Sequence, residues 1–92
     1  MILSFRCTDT QALFETGRSR HFAAVASVAM RKLVALNAAV TLEFLRSPPG
    51  NRLEALKGNR AGQYSIRIKD QYRICFVWNG NDAEQVEIVD YH

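Results

Sequence analysis

Proline occurs only twice, as the adjacent pair Pro48-Pro49, so one segment alone is barred from regular structure. Cysteine is equally scarce. Cys7 and Cys75 stand far apart and in no metal-ligand spacing, which argues against a disulfide framework or a zinc site and leaves two reduced, small apolar side chains. The two histidines, His21 and His92, are too few to hold a metal without cysteine help. No stretch reaches the ~18 unbroken apolar residues of a membrane span. The longest candidate, Phe22 to Val40, is interrupted by Ser27, Arg31, Lys32 and Asn37, and the N-terminus shows no charged-then-apolar signal pattern. Glycine-rich phosphate loops, HExxH, GxSxG and carboxylate pairs spaced for glycoside chemistry are all missing. These absences predict a cytoplasmic protein with no membrane partner, no metal and no cofactor.

The chain has 92 residues, 48% of them apolar, and a net charge of +3. A chain of this size buries only about 60% of its unfolded surface, so one domain over residues 1–92 is expected and a second core is not. The positive balance favours an anionic partner such as nucleic acid without requiring one. Ile2 to Arg6 reads as an opening strand. Thr8 and Gln11, three apart, match a capping box, and Gly17 closes the short helix that follows, about Thr10 to Thr16. A longer helix is expected from about Phe22 to Ala38, because Phe22, Val25, Ala26, Ala29, Leu33, Leu36 and Val40 fall on one helical face. Thr41 to Arg46 adds a distorted turn, and Pro48-Pro49-Gly50 forces a linker.

Beyond the prolines the period changes to two. Tyr64, Ile66 and Ile68 alternate with polar neighbours, as do Tyr72, Ile74, Phe76 and Trp78 with Arg73, Cys75 and Val77. Asp70-Gln71 leaves room for a tight hairpin turn, Asn79-Gly80-Asn81-Asp82 for another, and a last strand runs from about Gln85 to Tyr91. The sum is α+β: an opening strand and two helices packed on one face of a small antiparallel meander, with the other face left open.

On that open face the alternation gathers Arg67, Lys69 and Arg73. Beside the linker cations Arg52, Lys57 and Arg60 they compose a phosphate-binding surface, against the simpler reading of a solvated sheet face. Glu54 is the only carboxylate between Glu43 and Asp70; it either pairs with those cations or serves as a general base. The chain ends Asp90-Tyr91-His92, an imidazole suited to proton transfer beside a phenol suited to stacking, although terminal residues are often frayed.

Several segments, in order, resemble a known family. Asn51 to Gln63 with Leu56-Lys57-Gly58 at its centre, then Ser65-Ile66-Arg67, Gln71 to Phe76, and Val89-Asp90-Tyr91-His92 resemble HigB-type toxins of the RelE superfamily, the plasmid-maintenance killer proteins. The likeness covers essentially the full chain. It implies a RelE-like fold whose concave sheet receives messenger RNA in the ribosomal decoding site. The implied activity is that of a type II toxin, a ribosome-dependent endoribonuclease that inhibits translation. The implied partners are the ribosome, messenger RNA, a helix-turn-helix antitoxin of HigA type and, through the antitoxin complex, operator DNA. The resemblance assigns catalysis to Lys57, Arg73, Asp90, Tyr91 and His92, with Glu54 standing where a characterised HigB has a catalytic histidine. Arg52, Arg60, Arg67 and Lys69 are left to bind RNA. The whole assignment depends on the tail imidazole, the Lys57 ammonium and the Arg73 guanidinium meeting at one hollow. Two other readings stand beside it: a gyrase-inhibiting toxin of ParE type, and a catalytically weak binding module of the same fold.

Overall fold

The computed structural model describes residues 1–69 and 71–90. Helix α1 covers Thr8–Thr16, α2 covers Ala26–Ala38, and four strands follow: β1, Glu54–Ala55; β2, Gln63–Lys69; β3, Tyr72–Trp78; and β4, Ala83–Asp90. The strands form one antiparallel sheet in the order β1-β2-β3-β4. The fold is therefore α+β as expected, with two departures in its strands. The linker supplies the short additional strand β1. The opening segment forms no continuous ladder; it touches β4 through two parallel bridges, Ile2 to Ala83 and Phe5 to Val86.

Those bridges answer a backbone accounting problem. β4 is an edge strand, and its outward N–H and C=O groups need partners. The N–H groups of Ala83 and Val86 donate to the carbonyls of Met1 and Ser4, and Leu3 and Arg6 donate back to the Ala83 and Val86 carbonyls. The Ile88 N–H donates to the buried Thr10 hydroxyl at 3.0 Å, so α1 continues the cover where the N-terminal segment ends.

The helices follow their hydrophobic spacing with local corrections. The expected capping box does not form: α1 begins at Thr8 behind Cys7, whose side chain makes no cap hydrogen bond. Gly17, at φ 77°, does close it, donating to the Leu13 carbonyl at 2.8 Å. α2 starts at Ala26 rather than Phe22, preceded by a 3₁₀ turn over Ala23–Val25. Leu33, Leu36 and Ala29 are fully buried on its inner face. Val40, expected on that stripe, is 72% exposed, because Ala39 is already extended and takes the buried place itself.

The core lies between these helices and Ile66, Ile68, Ile74, Phe76, Val86 and Ile88 of the sheet. Phe76 stacks with Tyr64 and meets Trp78 edge-on, while Tyr72 meets Phe22 of the helical layer edge-on. β4 reaches its alignment through a bulge: Cys75 pairs with Glu87 and Val77 with Glu84, so Gln85 and Val86 together oppose Phe76. Gln85 adopts φ 51° to make the kink. Strict alternation from the buried Ala83 would turn Gln85 and Glu87 inward; the extra residue brings Val86 and Ile88 in instead.

Candidate active site

The sheet face opposite the helices is less open than the alternation suggests. Ser65 and Cys75 point that way, yet both are fully buried. Arg73 lies over Ser65: its Nε donates to the Ser65 hydroxyl at 2.7 Å, and Nη2 donates to the Arg52 carbonyl at 2.7 Å and the Ser65 carbonyl at 3.4 Å. The same Nη2 stands 3.3 Å from Glu54 Oε1. The local chain explains this. β1 pairs Glu54 with Ser65, which sets the carboxylate on the rung beside Arg73, and Arg52 takes φ 47°, the left-handed turn at which the linker enters β1.

This clamp uses only part of the guanidinium. Arginine has five N–H donors, and among the described residues Nη1 takes no hydrogen bond. No buried polar side-chain atom lacks a partner among those residues, so Nη1 is open to solvent although the Arg73 side chain is only 12% exposed. The arrangement is a stiff cation with a donor pair presented outward, which suits an oxygen of a phosphate.

The other expected residues divide. Lys57 is exposed just past β1, at the start of the 3₁₀ turn Gly58–Arg60, which its carbonyl helps close by accepting from the Arg60 N–H. Arg52 contributes its carbonyl to the clamp and keeps its side chain exposed. Arg60 reaches across the outer face of the sheet, bonding Gln63 Oε1 at 3.1 Å and Glu87 Oε2 at 3.2 Å, and Glu87 also stands 3.6 Å from Arg6. Asp90 closes the last rung, opposite Tyr72 and next to the Arg73–Val89 pair. Tyr91 and His92, like Asp70, lie outside the described residues.

Arg67 and Lys69 do not simply extend a common surface with Arg73. Arg67 faces Arg73 across the β2–β3 ladder, but the pairing shifts after it, so that Lys69 opposes Tyr72 and regular alternation ends. Both residues line a recess against α2 and the linker. Sequence reasoning missed Ser65 and Glu87 as parts of this face. Ser65 carried a signal, a small polar residue at an outward strand position between Tyr64 and Ile66; Glu87 carried none, because the bulge hides its phase.

Comparison with known proteins agrees with this architecture. Toxin HigB-1 of Vibrio cholerae serotype O1 is 38% identical over 80 residues, covering 85% of this chain and 84% of that protein. Among solved structures, the YoeB-YefM complex from Staphylococcus aureus matches with a TM-score of 0.62 at 17% identity, covering 100% of this chain and 98% of the other. YafQ from E. coli matches at 0.57 and 10% identity, covering 98% and 91%. At such identities these two speak for the fold alone. The family model for the RelE-like toxin of type II toxin-antitoxin system HigB matches residues 3–92. On that match and the HigB-1 identity, the chain belongs to the HigB-like family of RelE-like type II toxins, endoribonucleases with an antitoxin partner.

Proposed function

We propose that this toxin cuts messenger RNA on the ribosome, with Arg73 as the phosphate-binding cation of the reacting centre. The observation that carries the reading is the clamped guanidinium with its outward Nη1 donors beside Glu54. RNA cleavage of this kind deprotonates a ribose 2′-hydroxyl, which attacks the adjacent phosphorus in line, while the 5′-oxygen leaves and takes up a proton. Charge builds on the phosphate oxygens in the transition state, and preorganised cations stabilise it without having to move. Arg73 and Lys57 fill that role. The base is either His92 or Glu54, and the acid is whichever of His92 and Lys57 keeps its proton. Tyr91 stacks on a base or ribose, and Asp90 orients His92 or Tyr91. Arg52 and Arg60 flank the strand. Arg60, whose guanidinium already meets Glu87, contributes by shaping this face as much as by charge.

The partners follow the same reading: the ribosome with its bound message, a helix-turn-helix antitoxin of HigA type, and operator DNA through the antitoxin complex. The test is single-turnover cleavage of ribosome-bound message by the purified toxin. Lys57→Ala and His92→Ala should each lower the rate by about 100-fold or more, the size expected for losing a transition-state donor or proton-transfer group. Both variants should keep the wild-type melting temperature and antitoxin binding. Unchanged cutting in both would reject the assignment, and loss of gyrase supercoiling in a parallel assay would favour the ParE-type reading instead.

A further inference from the structure

A second basic recess lies where α2 passes the end of β2. Its volume is about 370 Å³, and four of its lining residues are cationic: Arg31 and Lys32 from α2, Arg67 and Lys69 from β2. Among the described residues that line it, none is acidic. The fold makes room for it because β1 pairs only with Tyr64 and Ser65, which leaves the later part of β2 without a strand neighbour on that side. The turn Pro49–Asn51 packs there instead, and Gly50 at the rim has no side chain to fill the space.

One of the four cations is held in place. Asn51 is buried, and its amide nitrogen donates to the carbonyls of Leu45 at 3.1 Å and Ser47 at 3.3 Å. Its Oδ1 is thereby turned outward and accepts from Lys32 Nζ. The linker therefore positions a lysine of α2 at the mouth of a recess that β2 lines with two further cations. A row of cations held at one recess suits a polyanion, whose binding releases counterions from its own backbone.

We propose that this recess is a binding site for the phosphodiester backbone of RNA, separate from the reacting centre and serving affinity rather than bond cleavage. RNA is favoured over an acidic protein segment by continuity: Arg67, in the recess, stands directly across the ladder from Arg73, so one strand can run from one site to the other. The inference rests on the RNA-cutting reading of the toxin. Message and ribosomal RNA offer the same phosphate chemistry, and the test separates them.

The experiment measures affinity, over a range of salt, for a 2′-O-methyl oligoribonucleotide that cannot be cut and for empty ribosomes. The proteins compared are wild type, Arg31→Glu/Lys69→Glu and, should that pair fold poorly, Arg31→Gln/Lys69→Gln; both positions are exposed. The expected result is a loss of about tenfold or more at moderate salt and a slope of log affinity against log salt shallower by about one to two. Loss towards the oligoribonucleotide identifies the message as occupant; loss towards ribosomes alone identifies ribosomal RNA. Unchanged affinity and slope for both would overturn the inference, as would weakened antitoxin binding with RNA affinity intact, or a wild-type protein that binds neither probe. If wild type binds RNA through the recess but fails to cut ribosome-bound message, the nuclease reading falls and the recess stands.

Discussion

Arg73 is bonded on several sides at once. Its Nε and Nη2 are spent on Ser65, the Arg52 carbonyl and Glu54, which fixes the plane of the guanidinium before any ligand arrives. A lysine keeps the charge but has neither the fork nor the plane to make these bonds together. Arg73→Lys should therefore lower single-turnover cleavage by about 10- to 100-fold, nearly as much as Arg73→Ala, a loss of roughly 1.4–2.7 kcal/mol in transition-state stabilisation. Recovery of near wild-type rate by lysine would show that a point charge suffices. Glu54 touches the same guanidinium from a 57% exposed position, so its role as partner and its role as base are separable. Glu54→Gln retains an acceptor oxygen for Arg73 while removing basicity. Set beside His92→Ala, the substitution of the true base should cost about 100-fold in rate and the other only a few-fold, read from pH–rate profiles of ribosome-bound cleavage.

Among the elements, β4 shows most clearly how a local irregularity serves the site. The bulge at Gln85 rephases the strand, bringing Val86 and Ile88 into the core and leaving Glu87 outward, where it meets Arg60 and Arg6. A left-handed conformation costs an L-residue roughly 1–2 kcal/mol, and a β-branched side chain suffers most. Gln85→Val should destabilise the protein by about 1–2 kcal/mol and Gln85→Gly should be neutral or mildly stabilising, measured as shifts in the urea midpoint. α1 is tied to this strand by the buried Thr10 hydroxyl. Thr10→Val keeps the shape but leaves the Ile88 N–H buried without an acceptor, a loss of about 1–3 kcal/mol by the same measurement. A midpoint indistinguishable from wild type would mean that another group, or water, satisfies that amide.

The whole molecule is a thin core with the proposed reacting centre on the far side of a single sheet. Leu33 and Leu36 of α2 and Ile66, Ile74 and Phe76 of the sheet are fully buried, and the sheet alone separates them from Arg73 and Arg60. A chain this small has only about 5–15 kcal/mol of total stability. Leu33→Ala, losing about 2–5 kcal/mol, should lower the melting temperature by ten degrees or more and reduce toxicity by depleting folded protein. Lys57→Ala, at an exposed position, should abolish cutting with no change in melting. Equal melting temperatures for Leu33→Ala and wild type would contradict the packing described. Membership in the family was legible in the chain because the resembling segments run its full length in order. The contacts that make the segments a site were not: Ser65 beneath Arg73 depends on the register of the β2–β3 pair, and Glu87 beneath Arg60 joins residues 27 apart in sequence.

Periodicity and residue chemistry, read along the chain, determined the α+β class, both helices with the Gly17 stop, the strands Gln63–Lys69 and Tyr72–Trp78, and the cations from which a phosphate site can be assembled. These are local properties: helical and strand repeats, and a glycine that tolerates positive φ, carry their signal within a few residues. Tertiary structure alone decided the bulge at Gln85, the short strand Glu54–Ala55, the reduction of the opening strand to two bridges, and the division of the cations between Arg73's clamp and the recess of Arg31, Lys32, Arg67 and Lys69. Each of these depends on which distant backbone groups remain to be satisfied once the core has closed, and that demand exists only in the folded chain.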